Sequence, residues 1–506
     1  MYINNKILIG KSKDKELSIV LDKANRHGLI TGASGSGKTI TLKVMAESFS
    51  SAGVPVFLAD VKGDIAGTCM PGESSEKIQS RLSDLKIDEF KFKGFPIHFW
   101  DVFGKKGHPI RTTIKDIGPT ILSRMLGLSE AGEGVLAIAF KIAEDKGLEL
   151  IDLKDLKILL TYIGEHYKEF ITNYGNITTQ SIGVIQRSLL QLDSQGGNYF
   201  FGEPNLDITD FIKTNNEGLG YINIMDCVEL FKSPDLYSCF LLWLLTTLYN
   251  TLPEVGDLEK PKIVFFFDEA HLLFDDMPSH MLKEVTQVVK LIRSKGIGLY
   301  FISQAPTDIP DAIISQLGNR VQHTLRAYTP AEEKTVKVAA SAFRTNPEFN
   351  TVEAIKSLGT GEALISFLTE NGEPNIVEKA TILPPQSMMG GIDDGTRLMV
   401  MNNSLFKGKY DTMLDRESAY EKISLELEKE VKEKELAEKI KAEEKAKKEA
   451  EKAAAEQLKA EEKAKKEAEK ARKNNPLYKT GKKVVNKTID KAINKGINSI
   501  LKNIFK

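Results

Sequence analysis

Cysteine, histidine and long apolar runs are all scarce in this 506-residue chain, and each scarcity closes off a class of protein. The three cysteines, Cys69, Cys227 and Cys239, stand far apart without C-x-x-C spacing. That excludes a disulfide framework and a cysteine-held zinc site. The seven histidines contain no H-x-x-x-H pair, so a paired-histidine metal helix is excluded too. No apolar run reaches the length of a bilayer span, and the opening MYINNKILIGKSKDKEL lacks an apolar signal core and a small-residue cleavage site. The expected location is therefore cytoplasmic.

Net charge is scarce as well, −1 over the whole chain, but it is unevenly spread. From Pro476 to Lys506 eight lysines face one aspartate, a net +7 that leaves −8 for everything before it. Nucleic-acid contact by the body must then use a local basic surface rather than an overall field.

What the chain does have is a glycine loop in the stretch LITGASGSGKTITL. The pattern G-x-x-x-x-G-K-[ST] runs Gly32, Ala33, Ser34, Gly35, Ser36, Gly37, Lys38, Thr39. Backbone N–H groups wrap phosphates only where no Cβ intrudes; the lysine adds a charge for the β- and γ-phosphates of ATP, and the Thr39 hydroxyl a ligand for Mg²⁺. Arg26 to Ile30 reads as a short buried strand before the loop, and the residues after it carry helical spacing that closes at Gly53. Strand, loop and helix stand in the order a phosphate loop requires, which argues against a ligand-free glycine turn.

The second half of such a site is carboxylate. In PKIVFFFDEAHLLF the apolar run Ile263 to Phe267 reads as a strand buried on both faces, with Asp268 and Glu269 at its C-terminal end. Asp268 is the expected Mg²⁺ ligand and Glu269 the expected activator of the attacking water, while His271 is read as structural. A further strand from Gly296 to Pro306 ends in Gln304, a candidate sensor of the γ-phosphate. Arg293, Arg320 and Arg326 are candidates to reach a neighbouring subunit's nucleotide, with a strand from Arg320 to Arg326 expected to set one of them at a sheet edge. Arg320 stands as the catalytic candidate, although the sequence alone does not choose among the three and a plain surface ion pair is the blander reading for each. Asp60 and Lys62, in DVKGD at the tip of a strand, lie on the nucleotide edge, where a plain turn is the blander reading.

Walker A and Walker B lie far apart, so something is inserted between them. Helical patterning fills Thr112 to Lys213, and strands Val54 to Asp60, Phe95 to Val102 and Gly218 to Asp226 continue the sheet. The predicted architecture is α/β: a RecA-like P-loop NTPase core with a parallel-rich sheet, an inserted helical subdomain and a long charged C-terminal helix. The division reads 1–110 with Walker A, 111–215 helical insertion, 216–415 with Walker B and sensor, 416–475 Glu/Lys/Ala-rich linker, and 476–506 basic tail.

The linker repeats KAEEKAKKEAEKA at Lys441 and Lys459. The offset is five helical turns, so both copies present one face, lined mainly by alanine. A solvated helix or weak coiled coil serving as spacer is the expectation, with disorder the alternative. In the tail Val485, Ile489, Ile493, Ile497, Ile500 and Ile504 form an amphipathic stripe among lysines, suited to packing on protein, to DNA phosphates or to an anionic membrane.

The stretches RHGLITGASGSGKT, VPVFLADVKGD, VFFFDEAHLLF, IRSKGIGLYFISQ, QLGNRVQHTLRAYTP and LGTGEALISFL together resemble the bacterial HerA-like ATPases of the YjgR type, over roughly residues 20 to 415. The wider group includes HerA and FtsK-type motors, hexameric RecA-like rings that translocate double-stranded DNA with ATP. The resemblance implies Gly32 to Thr39 as Walker A, Asp268 and Glu269 as Walker B, Gln304 as sensor, a homo-oligomer and a possible nuclease partner. HerA proper carries a β-barrel before its phosphate loop that helps form the ring and dock the nuclease; 31 residues precede Gly32 here, so both are implied less directly than ATP binding. The leading expectation is a Mg-ATP-driven motor on double-stranded DNA, probed by hydrolysis with and without DNA. The alternative is a nucleotide switch or scaffold tethered by its tail to membrane or protein. A secretion or conjugation motor is disfavoured by the lack of a membrane span.

Overall fold

The computed structural model describes residues 1–473 apart from Asp14, Asp257, Asp275 and Asp276; the predicted basic tail lies outside the described residues. The chain divides into two units, Met1–Ser424 and Leu425–Lys506.

The first unit is built on one sheet. Its strands are β1 (Tyr2–Ile3), β2 (Lys6–Ser12), β3 (Lys15–Val20), β4 (Gly28–Thr31), β5 (Val56–Asp60), β6 (Ile97–Asp101), β7 (His108–Pro109), β8 (Ile222–Asp226), β9 (Ile263–Phe267), β10 (Ile297–Ser303), β11 (Asn319–Gln322), β12 (Glu362–Ser366) and β13 (Glu378–Ile382). The lateral order is β1-β2-β13-β12-β11-β4-β10-β9-β5-β8-β6-β7, with β3 also on β2. From β11 to β7 every pairing is parallel, whereas β12, β13 and β2 extend the sheet in antiparallel fashion. The α/β, parallel-rich expectation holds.

Strands β5, β8 and β9 are buried at every position, which their apolar runs require, because helices cover both faces of a parallel sheet. Helix α1 (Lys38–Ser51) covers one face: Leu42, Met45 and Phe49 are buried there, and the Phe49 ring lies 6.2 Å from Phe266 and 6.0 Å from Tyr300. Dispersion and apolar burial on this scale hold the phosphate-loop helix rigidly to its strand.

Between β7 and β8 the chain is helical. Helices Ile114–Met125, Glu130–Asp145, Leu153–Glu165, Tyr167–Tyr174 and Thr179–Ser194 follow one another, four of them started by side chains of Thr113, Ser129, Asp152 and Thr178 that accept backbone N–H bonds. Their buried residues recur at helical spacing, as in Val135, Leu136, Ala139 and Ile142.

After β13 the chain becomes a strap rather than another layer. Its residues 386–388 cross α1, where the buried Glu47 carboxylate accepts from Gln386 N at 2.7 Å, Ser387 N at 3.1 Å and Ser387 Oγ at 2.5 Å, and Lys43 Nζ donates to Met388 O at 2.6 Å. Farther on, Arg397 lies over the Phe99 ring and Asp411 sits 2.6 Å from His108. Ser418 donates to Asp155 at 2.5 Å, against the helical region.

Helix Ala419–Lys473 begins within the first unit, with Ala419 and Ile423 buried. In the second unit Leu436, Ile440 and Leu458 are exposed, as a solvated helix requires. Among the described residues no helix is long and apolar enough to cross a membrane.

Candidate nucleotide site

The site assembles at the C-terminal ends of the parallel strands, where open α/β sheets bind ligands. Strand β10 lies between β4, which feeds the phosphate loop, and β9, which carries the acidic pair. The loop and the two carboxylates are thus placed on one edge, one strand apart.

The loop's shape follows from its glycines. Gly32, Gly35 and Gly37 all have positive φ, and a Cβ on Gly35 would meet nothing within 4 Å, so that side of the loop faces open space. At Gly32 the reverse is true: a Cβ would approach His323 Cβ to 2.5 Å. Backbone bonds from Gly32 N to Gln304 O (3.2 Å) and from Ala33 N to Thr324 O (2.8 Å) moor the loop to the strands on either side. Lys38 is buried and its Nζ donates to Gly32 O at 2.6 Å and Ala33 O at 3.2 Å, within the curl of its own loop. Burial lowers its pKa, opposed by the charge of Glu269. Thr39 follows at the first turn of α1, half-buried.

Opposite stand the carboxylates. Burial, reinforced by the charge of Glu269, pushes Asp268 up to about 7. Burial acts to raise Glu269 too, but the hydrogen bond and charge of Lys62, with Lys38 beyond, outweigh it and hold this carboxyl below its usual range. Glu269 Oε1 meets Lys62 Nζ in a short ion pair, and His271 Nδ1 lies 3.3 Å from Oε2. Glu269 also has φ 46°, a left-handed conformation that costs a non-glycine residue on the order of 1 kcal/mol or more and is sustained only by its surroundings.

Asp268 Oδ2, Glu269 Oε2 and Ser36 Oγ are buried without a hydrogen-bond partner. Orphaned buried oxygens beside a glycine cradle suit a bound group that brings its own positive charge or donors, as Mg²⁺ with its waters does. Among the described residues no three His, Cys, Asp or Glu side chains cluster as a metal cage, and a nucleotide-borne Mg²⁺ needs none, since phosphate and water supply most ligands. Thr39 and Asp268 are the residues that would hold it.

Gln304 is exposed just past β10, beside both loop and acids. Asp308 fixes the turn that follows it, accepting from Ser303 Oγ at 2.6 Å and Ala305 N at 2.8 Å. The arginines fall elsewhere than expected. Strand β11 spans only Asn319–Gln322 and is interior, because β12 pairs with its outer side, so no sheet edge forms there. Arg320 is directed inward: its guanidinium donates to Leu317 O (3.0 Å), Ala342 O (3.1 Å) and Ile314 O (3.2 Å) of its own chain. Arg293 precedes β10 and so sits at the opposite edge from the loop. Arg326 is exposed beyond the end of β11, on the nucleotide edge.

Two contributors were not singled out by sequence. His323 packs beneath the loop, with Nε2 2.8 Å from Thr41 Oγ1 and Nδ1 2.9 Å from Glu362 O, and burial lowers it to about 4, so it is neutral. Gly361 N donates to Ser36 O at 3.2 Å, bringing the β12 turn against the loop. Neither has a local signal, since both act through partners distant in sequence.

The family described as Helicase HerA-like C-terminal matches residues 5–504, almost the whole chain. The chain belongs to this HerA-like ATPase family. The DNA double-strand break repair helicase HerA of Sulfurisphaera tokodaii is 24% identical over 381 residues, covering 72% of this chain and 67% of that protein. Its namesake from Sulfolobus acidocaldarius is 22% identical over 370 residues, covering 71% and 66%. The chain therefore spans about two thirds of the length of the curated HerA relatives it matches. Among solved structures, the bacterial conjugative coupling protein TrwB is similar with a TM-score of 0.49 at 12% identity, covering 75% of this chain and 90% of that one. The HerA-like assignment agrees with the motifs that suggested it.

Proposed function

We propose that this HerA-like chain hydrolyses Mg-ATP and couples the reaction to movement along, or remodelling of, double-stranded DNA as a ring-shaped, hexameric homo-oligomer. One observation carries the reading: the phosphate loop and the Asp268–Glu269 pair meet on one sheet edge with a single strand between them. Lys38 would bind the β- and γ-phosphates, Thr39 and Asp268 would hold a Mg²⁺ able to neutralise charge on them, and Glu269 would orient the attacking water. Gln304 reads the γ-phosphate. The arginine acting in trans is better sought at exposed Arg326 than at Arg320, whose donors are engaged within its own chain. A nuclease partner belongs to the same reading.

The test is steady-state ATP hydrolysis with and without long linear double-stranded DNA, at low and at higher salt. Strong stimulation that weakens with salt supports the motor, because phosphate-mediated binding releases counterions. Turnover indifferent to DNA favours the second reading, a nucleotide switch or scaffold in the cytoplasm tethered by its tail to membrane or protein, for which the solvated helix beyond Ser424 supplies reach.

A further inference from the structure

Lys62 is the residue on the nucleotide edge for which the general phosphate-loop mechanism has no role. The turn that presents it is fixed: Asp60, at the end of β5, accepts from Lys62 N at 3.2 Å, Gly63 N at 2.7 Å and Ile65 N at 3.2 Å, so its carboxylate organises the whole loop. Strand β5 is the neighbour of β9, and the loop therefore opens directly beside the acidic pair. From there the Lys62 ammonium reaches Glu269 Oε1, while about half of its side chain stays in contact with solvent. Glu269 turns to meet it through a left-handed backbone.

Lys38 follows β4 and Lys62 follows β5, so the two lysines come from strands on either side of the one that carries the acidic pair. Each feels the charges of Asp268 and Glu269, and Lys38 also feels Lys62. An ammonium carries three N–H donors. Glu269 takes one of those on Lys62, and with about half of the side chain exposed the remaining donors are open to a bound anion.

We propose that Lys62 is a terminal-phosphate sensor: its ammonium, already paired with the Glu269 carboxylate, also takes the γ-phosphate of ATP, so that the terminal phosphate and the water-orienting group are held to one another through this lysine. This rests on the reading of the site as an ATPase and adds to it a residue that tells ATP from ADP. The bridge engages Oε1 of Glu269 and leaves Oε2, which has no hydrogen-bond partner, to that water. ADP would contact the loop and Lys38 but offer nothing to Lys62.

The experiment uses the full-length chain and the variants Lys62→Met, which keeps length and removes charge, and Lys62→Arg. Affinities for ADP and for a non-hydrolysable ATP analogue are measured by displacement of a fluorescent ADP, together with kcat and KM for ATP. Lys62→Met is expected to bind ADP as the parent does, to lose about tenfold in affinity for the triphosphate analogue, and to lose more in kcat than in KM. Lys62→Arg is expected to restore much of the triphosphate preference. Equal loss of ADP and triphosphate affinity in Lys62→Met would overturn the proposal, because it would show a merely structural loop; so would unchanged triphosphate binding and turnover. A parent protein that neither binds nor hydrolyses ATP would instead overturn the ATPase reading and this proposal with it.

Discussion

The imidazole of His323 lies directly beneath Gly32, so close that a Cβ on the glycine would stand 2.5 Å from the histidine Cβ. Gly32 is therefore fixed by packing as well as by its positive φ. Gly32→Ala is expected to destabilise the protein by about 1–3 kcal/mol through overpacking and to weaken nucleotide binding. Urea unfolding with and without Mg-ATP reads both effects.

His323 also gives the site a pH signature. Its pKa is lowered to about 4 by burial, against an ordinary value of 6.5, so between those limits the unfolded chain binds the extra proton. The stability supplied by the neutral imidazole is thus present above pH 6.5 and lost as pH falls toward 4. His323→Gln should destabilise at pH 7.5, and the gap to the parent should close by up to about 1.4 kcal/mol per pH unit below 6.5. Denaturant midpoints of both proteins across this range check it.

Lys38→Ala and Glu269→Gln separate binding from chemistry. The first is expected to abolish hydrolysis and weaken triphosphate binding; the second should bind ATP but lose on the order of 10²-fold or more in turnover. Single-turnover kinetics beside equilibrium binding distinguishes them, and a Glu269→Gln variant with parental turnover would remove the water-activating role.

The strap offers a stability test away from the chemistry. Ser387→Ala deletes the 2.5 Å bond to the buried Glu47 carboxylate while sparing both backbone bonds to it. Because a hydrogen bond to a charged group is lost and the acceptor stays buried, a cost of about 1.5–3 kcal/mol is expected by thermal or chemical unfolding. Burial already raises the Glu47 pKa, so losing this donor should raise it further and extend to higher pH the range over which stability falls as pH rises.

A chain ending at Ser424 removes only the second unit. Its hydrolysis of ATP in the absence of DNA should match the full-length rate, because every described residue of the site lies before that point. An end at 415 should instead destabilise the helical region, since it removes the Ser418 contact to Asp155 and the buried Ala419 and Ile423. Circular dichroism melts of the two truncations compare them.

Residues acting through local chain geometry were legible in the sequence. Gly32 to Thr39 declare themselves by spacing, and Asp268 and Glu269 by their place after an apolar run that only a buried parallel strand explains. Residues acting across the fold were not. Nothing near His323 announces that its partner is Thr41, and nothing near Arg320 says that three carbonyls surround it. The expected edge position for the arginines failed for the same reason: β12, β13 and β2 fold back to cover β11, a long-range pairing that the residues flanking Arg320 do not reveal.

That pairing ties the two ends of the first unit together, with Gly10 beside Ile382 and Lys11 beside Thr381. On the ribosome, the amino-terminal strands would emerge and wait while nearly the whole unit was synthesised, and β4 would stand without either lateral neighbour until β10 and β11 had appeared. The cradle for phosphate therefore cannot close early. Its completion waits for β10, β11 and the turn at Gly361, and until then the nascent chain carries unpaired apolar strands, a vulnerable interval that chaperone protection would shorten.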